Sequence, residues 1–343
     1  MFASSSINTL IELFHNLPQS EQLAFISQVL TNNRQHSESF QPKSQSPDSI
    51  RFKDGVFCPH CGETRCSKFG FTRQGKQRYK CSGCKRTFTA TTNTTLDYTK
   101  KDVEIWMKYI WCMANHMSIR KSAKACGINK STSFEWRHKI LDALKNRLYA
   151  NKEKLSGIIE ADETFFHLSF KGCRNIEAIA GRPAHKRGNA ISKRGLSKEQ
   201  VCVPSAIDST NKAFAQIGKL GTANLSALTL TLGNRITPLS TLKSDCHSAY
   251  THFCNRFNLN HMAFKPSKKS HPLPHINGYH STLKRFMRPF NGVATKYLNN
   301  YLSWFNLFRQ SEFKATSTDI IFSDDNIDRR KDMRWRNPVP IVA

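Results

Sequence analysis

Residues 157–166 read GIIEADETFF. The apolar opening reads as a strand that ends on Asp162, flanked by Glu160 and Glu163. Side chains alternate along a strand, so Glu160 and Asp162 face one side and Glu163 the other. Before this stretch the chain is helical or Cys-rich; after it, strand and helix patterns alternate. That change marks the start of an α/β domain, assigned to residues 155–312. Within it EQVCVPSAID and KAFAQIGKL read as strands of a meander, and NLSALTLTL as a helix. STLKSDCHSAYTHFCNRF reads as a strand ending at Asp245, then a helix.

Two strands that finish near an aspartate in one sheet can gather carboxylates around divalent ions, and hard oxygen ligands suit Mg2+ or Mn2+. Such ions activate an oxygen nucleophile and stabilise the leaving oxygen of a phosphodiester. Strand ends also carry Asp as an ordinary cap, so the pair alone is a weak sign. No third carboxylate follows: from Cys246 to Gln310 there is no Asp or Glu, against nine Lys or Arg and six His. INGYHSTLKRF has helical spacing and places Asn277, His280 and Lys284 on one face. An amide oxygen ligates Mg2+ without adding charge, an imidazole suits softer metals, and a lysine can hold a phosphate. A capping Asn with a surface His and Lys is the plainer reading.

The 343 residues carry 52 Lys or Arg against 25 Asp or Glu, a net charge of +27. Self-repulsion of that size points to a polyanionic partner, nucleic acid ahead of an acidic membrane surface. No apolar run approaches a membrane span, and the start lacks a basic segment followed by an apolar core. A cytoplasmic, nucleoid-associated protein is therefore expected. Eleven cysteines, several in CxxC pairs, suit a reducing compartment and metal binding.

Cys58 and Cys61 stand three apart, as do Cys81 and Cys84, with nineteen residues between the pairs. Two such knuckles complete a tetrahedral Zn2+ site, and four thiolates leave no open position for chemistry. Residues 51–92 are thus read as a structural zinc ribbon, with Cys66 as a competing but unpaired thiol. Its basic residues Arg73, Lys76, Arg78, Lys80, Lys85 and Arg86 suit either phosphate contact or a solvated face.

Residues 97–150 read as helices. Ile105, Tyr109 and Cys112 mark the first, and SIRKSAKACGINKSTSFEWRHKIL reads as helix, turn at Gly127, helix, with Ser118 and Ser131 as N-caps. A DNA-binding helix-turn-helix would use Arg120, Lys121, Lys130, Arg137, His138 and Lys139; a plain bundle would make Trp106, Trp111 and Trp136 core residues. Lys186 and Arg187, in a basic insertion, join the candidate DNA contacts. Residues 1–50 read as two short helices, broken at Pro18, and a polar linker; 313–343 read as a charged tail.

Taken in order, CPHCG…RYKCSGCKRTFTATTNTTL, TSFEWRHKIL, GIIEADETFFHLSFKG with KRGLSKEQV, LKSDCHSAY and NGYHSTLKRFMRPFNGVATKYLNNYLSWFN resemble bacterial insertion-sequence transposases of the DDE superfamily. The similarity is to the group with an N-terminal zinc ribbon and Asn as third metal-site residue, and spans about residues 55 to 310. It implies an RNase H-like mixed sheet with flanking helices, which cuts double-stranded DNA at element ends and joins the 3′-OH to a target. It puts the metal site on Asp162, Asp245 and Asn277, ahead of His280, with Lys284 as companion. It also implies a homo-oligomer on DNA. VCVPSAIDSTN departs from the pattern: Pro204 interrupts the strand and Ile207 replaces a charge, which predicts local distortion. A catalytically inactive DNA-binding regulator derived from such an enzyme is the alternative.

Overall fold

The chain begins its described course with a short helix, α1 (Pro47–Arg51), leading into three antiparallel strands, β1 (Cys66–Phe71), β2 (Gln77–Cys81) and β3 (Thr87–Phe88). The computed structural model describes residues 46–150, 154–172, 176–177, 197, 199–265 and 272–309, all within one compact unit, Gln45–Ala343. The expected helices of residues 7–31, the linker up to residue 45, the insertion with Lys186 and Arg187, and the tail 313–343 lie outside the described residues. Tyr79 and Phe88 stack beside Phe52 to form a small core around the cysteines, and Tyr79 donates to Asp48 at 2.9 Å. Arg51 donates to the carbonyls of Ala90 and Thr92, tying α1 to the chain beyond β3.

Three helices follow: α2 (Val103–Ala114), α3 (Ile119–Ala125) and α4 (Lys130–Ala150). Ser118 caps α3 as expected, accepting from the Lys121 N–H. Gly127, at φ +61°, supplies the left-handed turn that ends it. The cap of α4 differs: Asn129 Oδ1 accepts from the Ser131 N–H at 2.9 Å, so the helix begins a residue before Ser131. Trp106 and Trp136 stack at 3.8 Å, and Tyr109 donates to the Ser133 carbonyl, locking α2 against α4. Each large apolar side chain buried this way is worth about 1.5–3 kcal/mol.

The large sheet comprises β4 (Ile158–His167), β5 (Gln200–Asp208), β6 (Ala213–Ala215), β7 (Lys219–Leu220), β8 (Thr241–Asp245) and β9 (Asn260–Phe264). Its order is β6-β5-β4-β8-β9, with β7 also on β5. β5 is antiparallel to β4, whereas β4, β8 and β9 are mutually parallel. β4 does not end at Asp162: β5 pairs with it as far as His167, so the aspartate sits in mid-strand. Ile159, Ala161 and Leu242 bury one face under α5 (Leu225–Leu232) and α6 (Ser248–Phe257). Val201, Val203 and Ile207 bury the other under α7 (Pro274–Met287) and α8 (Thr295–Arg309). That second core continues without a break through α2, α3 and α4. No helix among the described residues is long and apolar enough to cross a membrane.

Pro204 leaves β5 continuous and moves the distortion to its neighbour. The missing proline N–H falls level with residues 216–218, where the edge opens between β6 and β7. Gly218 closes over the ring: a Cβ there would stand 3.0 Å from Pro204 Cδ and 3.1 Å from Ala227 Cβ. Gly218→Ala is therefore expected to lower stability by about 1–3 kcal/mol. Pro204→Ala should recover part of that loss in a double-mutant cycle of denaturant unfolding; strictly additive values would contradict the contact.

Candidate active site and metal centre

The alternation of β4 decides what each acid meets. Glu160, 6% exposed, points to α7. One carboxylate oxygen accepts from the backbone N–H groups of His275 and Ile276 at 2.8 and 3.0 Å, and the other bonds the His275 ring at 2.8 Å. A helix start leaves its first N–H groups without partners. Here Pro274 has none to offer, Leu273 at the cap position has no side-chain acceptor, and the Asn277 N–H reaches the Leu273 carbonyl at 3.2 Å. Glu160 thus caps α7 from a neighbouring strand and sets a carboxylate at the positive end of its dipole. That holds α7 against the sheet through Ile276, Tyr279, His280 and Leu283, with Asn277 and Lys284 exposed.

Asp162 lies two residues on, on the same face. The parallel register pairs Glu160 with Lys243; two residues further along each strand, Asp162 comes level with Asp245. Asp162 Oδ2 stands 3.9 Å from His280 Nδ1, too far for a hydrogen bond. Burial pushes the Asp162 carboxyl up from 3.8 to about 6; the charge of Asp245 adds to the rise, and Lys284 and the Glu163 N–H oppose it. Asp245, at the end of β8, accepts from the His247 N–H at 3.1 Å as the chain turns into α6. Glu163 occupies the opposite face near the buried Tyr250, and burial pushes it up to about 7.

Burial, then Lys284, draws His280 down to about 4, so it is neutral at pH 7, and its Nε2 has no hydrogen-bond partner. Asn277 and Lys284 are exposed, and no hydrogen bond joins the Asn277 side chain to either aspartate among the described residues. Asp162, whose charge burial disfavours, lies level with Asp245 and beside an imidazole with an unpaired nitrogen; these are donor types that a divalent cation takes, although among the described residues only the four cysteines already converge as a set. The sequence ranks Glu160 only as a flanking residue. Its place two residues before Asp162 was the available signal, but the helix it caps is 114 residues downstream of it.

The four cysteines converge. Cys58 and Cys84 sulfurs stand 3.6 Å apart, as do those of Cys61 and Cys81, and all four lie within 4.8 Å of one another. Tetrahedral Zn–S bonds of about 2.3 Å space sulfurs about 3.8 Å apart, so Zn2+ fits. The two knuckles repeat one hydrogen bond: Cys58 N–H to Glu63 and Cys81 N–H to Arg86, each five residues on. Cys66 stays outside the set and bonds the Glu63 carbonyl.

Among the basic candidates Arg120, Lys121 and Lys130 are exposed and Lys139 is partly buried. Arg137 and His138 are corrected: they are 0% and 1% exposed and face the protein interior. Arg137 donates to the Met117 carbonyl at 2.6 Å and to Ser122, with its guanidinium 5.5 Å from the centre of the Trp304 ring. His138 packs between Phe134 and Tyr297. A helical wheel of α4 alone does not show that α8 covers this side. On the ribbon, Arg73, Lys80, Lys85 and Arg86 are exposed; Phe69 and Phe71 beside them were missed. Arg78 and Lys80 each stand 5.1 Å from the Phe69 ring centre.

No protein-family model matches the chain. A protein of Halobacterium salinarum, described as an uncharacterized protein in transposable element ISH50, is 24% identical over 267 residues, 76% of this chain and 87% of the relative. A simian T-cell lymphotropic virus intasome in complex with PP2A regulatory subunit B56 gamma superposes at TM-score 0.28 and 12% identity, over 57% of this chain and 64% of that one. The Mos1 mariner paired end complex with Mn does so at 0.25 and 12%, over 65% and 78%. Superpositions this loose establish neither fold nor function.

Purified protein is expected to hold one zinc per chain by elemental analysis, and Cys81→Ser to lose it together with the protease resistance of residues 51–92; full zinc in the variant would remove Cys81 from the site. A carboxyl whose pKa is raised by folding contributes stability that is complete below its unfolded value and lost as pH rises through the folded one. For Asp162 that window runs from about 4 to about 6. In EDTA at pH 8, Asp162→Asn should therefore raise stability by roughly 1–3 kcal/mol, with the gain vanishing near pH 4. A destabilised variant at pH 8 would contradict the strain assigned to this carboxylate.

Proposed function

We propose that the chain is a metal-dependent DNA transposase, and that residues 155–312 form an RNase H-like catalytic domain. The observation that carries this reading is the β4–β8 register, which brings Asp162 level with Asp245 on the sheet that α7 covers. The strand order β6-β5-β4-β8-β9, with only β5 and its partners reversed, supports the sheet the resemblance implies. The relative within a transposable element and the charge of +27 support DNA as substrate.

Asp162 and Asp245 would hold Mg2+ or Mn2+, with Asn277 of α7 as the third donor and His280 packed behind Asp162. When bound, the ions supply activation of water or of a 3′-hydroxyl and stabilise the leaving oxygen. Lys284 holds a phosphate of the substrate strand and lowers the repulsion between the two aspartates. Glu160 keeps α7 in place so that the donors on two strands and one helix stay in register. The ribbon and the α3–α4 pair, read as a helix-turn-helix, bind the element ends through Arg120, Lys121, Lys130 and Lys139, joined by Lys186 and Arg187. Pairing two ends requires more than one copy.

Labelled DNA carrying the repeats that flank the gene provides the test. Nicks at the repeat boundary in Mg2+ or Mn2+ and none in EDTA, followed by joined products, are expected. Asp162→Asn should abolish both while end binding persists. Asn277→Ala should reduce cleavage in Mg2+ more than His280→Gln; the reverse order moves the donor to His280. Specific binding with no nick in either metal would leave a regulator without chemistry.

A further inference from the structure

A second site lies apart from the carboxylates. Between α4, α8, the end of the chain segment after β4 and the turn before α8 there is a cleft of about 560 Å³. Phe134, Phe290, Tyr297 and Tyr301 supply aromatic walls, and Lys171 and Lys296 are the charged groups among the described residues of its lining. Among the described residues no carboxylate lines it. Lys171 donates to the carbonyls of Asn291 and Gly292 at 3.2 and 3.1 Å, while Lys296 Nζ stands 5.0 Å from the centre of the Tyr297 ring.

His138 also lines this cleft. It is 1% exposed, its ring lies 4.4 Å from that of Phe134 and 4.0 Å from that of Tyr297, and its Nδ1 has no hydrogen-bond partner. A buried ring nitrogen without a partner is costly unless something satisfies it. Burial, then Arg137 and Lys296, pushes the imidazole down to about 3, so it is neutral and has a nitrogen able to accept from an amine. The volume is that of a small-ligand site, too confined for a paired duplex. Aromatic faces with ammonium groups at hand suit one planar base and the phosphate attached to it.

We propose that this cleft receives a single unpaired nucleotide of the bound DNA, its base among Phe134, Tyr297 and Tyr301 and its phosphate on Lys171 and Lys296. His138 Nδ1 accepts from the exocyclic amine of the base. The assignment rests on the reading of the chain as a DNA-binding protein, and it gives the buried His138 a role that a groove-facing contact cannot.

The test uses the full-length, zinc-loaded protein and two probes: a blunt duplex, and the same duplex with a short 3′ overhang containing 2-aminopurine. The overhang should bind about tenfold more tightly, with its fluorescence changed as the base leaves solvent. Val293→Trp, which fills the cleft, should remove the preference and the fluorescence change while blunt-duplex affinity is kept. Lys296→Ala, a smaller change, should weaken the preference in the same direction and serves where the tryptophan variant misfolds. A preference that survives both variants overturns the proposal. So does free dAMP binding as tightly as the overhang, which would make the occupant a free nucleotide. If the wild type binds neither duplex, the DNA-binding reading fails first and the assignment falls with it.

Discussion

The carboxylate of Glu160 bonded to the start of α7 is the constraint on which the site depends. The strand β4 carries two acids on one face; the first is consumed in capping a helix, and that cap orients the helix over the second. A helix whose first turn contains Pro274 and lacks a side-chain cap of its own has few other ways to satisfy its N–H groups. Removing Glu160 would leave buried donors unpaired and free the helix that carries Asn277, His280 and Lys284. The geometry that could bind metal thus follows from a hydrogen-bonding requirement rather than from the metal.

The same economy appears in the packing. β5 is buried on both faces, with Val201, Val203 and Ile207 to one side and Cys202 and Ala206 to the other. Its proline is tolerated because the adjacent edge is split, and Gly218 gives the ring room. The helices α2 to α4 share their core with α7, α8 and this strand. Among the described residues, Arg137 seals that shared core with hydrogen bonds and aromatic faces in place of a carboxylate partner, a costly arrangement for a cation. Displacing the helical region from the sheet would expose it.

What could be read from the residues followed short-range rules. The paired CxxC spacing located four sulfurs that converge, because two tight turns aim them locally. Strand alternation correctly separated Glu160 and Asp162 from Glu163. The strand and helix assignments through 200–257 held where each is bounded by its own turn residues, whereas KAFAQIGKL, expected as one strand, is split into β6 and β7. Long-range facts were not legible. Nothing near Asp162 says that β5 extends its strand to His167, and nothing near His138 says that Tyr297 covers it. Arg137 and His138 are buried where the sequence suggests an exposed face, since a helix face looks basic and exposed until its tertiary neighbour is known.

The proposed function requires Asp162 and Asp245 to share a divalent ion beneath α7. Anomalous diffraction from crystals soaked in MnCl2 tests it directly, with the four-cysteine cluster as the reference position for zinc. A manganese peak between the two aspartates, with a further ligand from Asn277 or His280, is expected. A zinc peak at the cysteines with no manganese at Asp162 would contradict it.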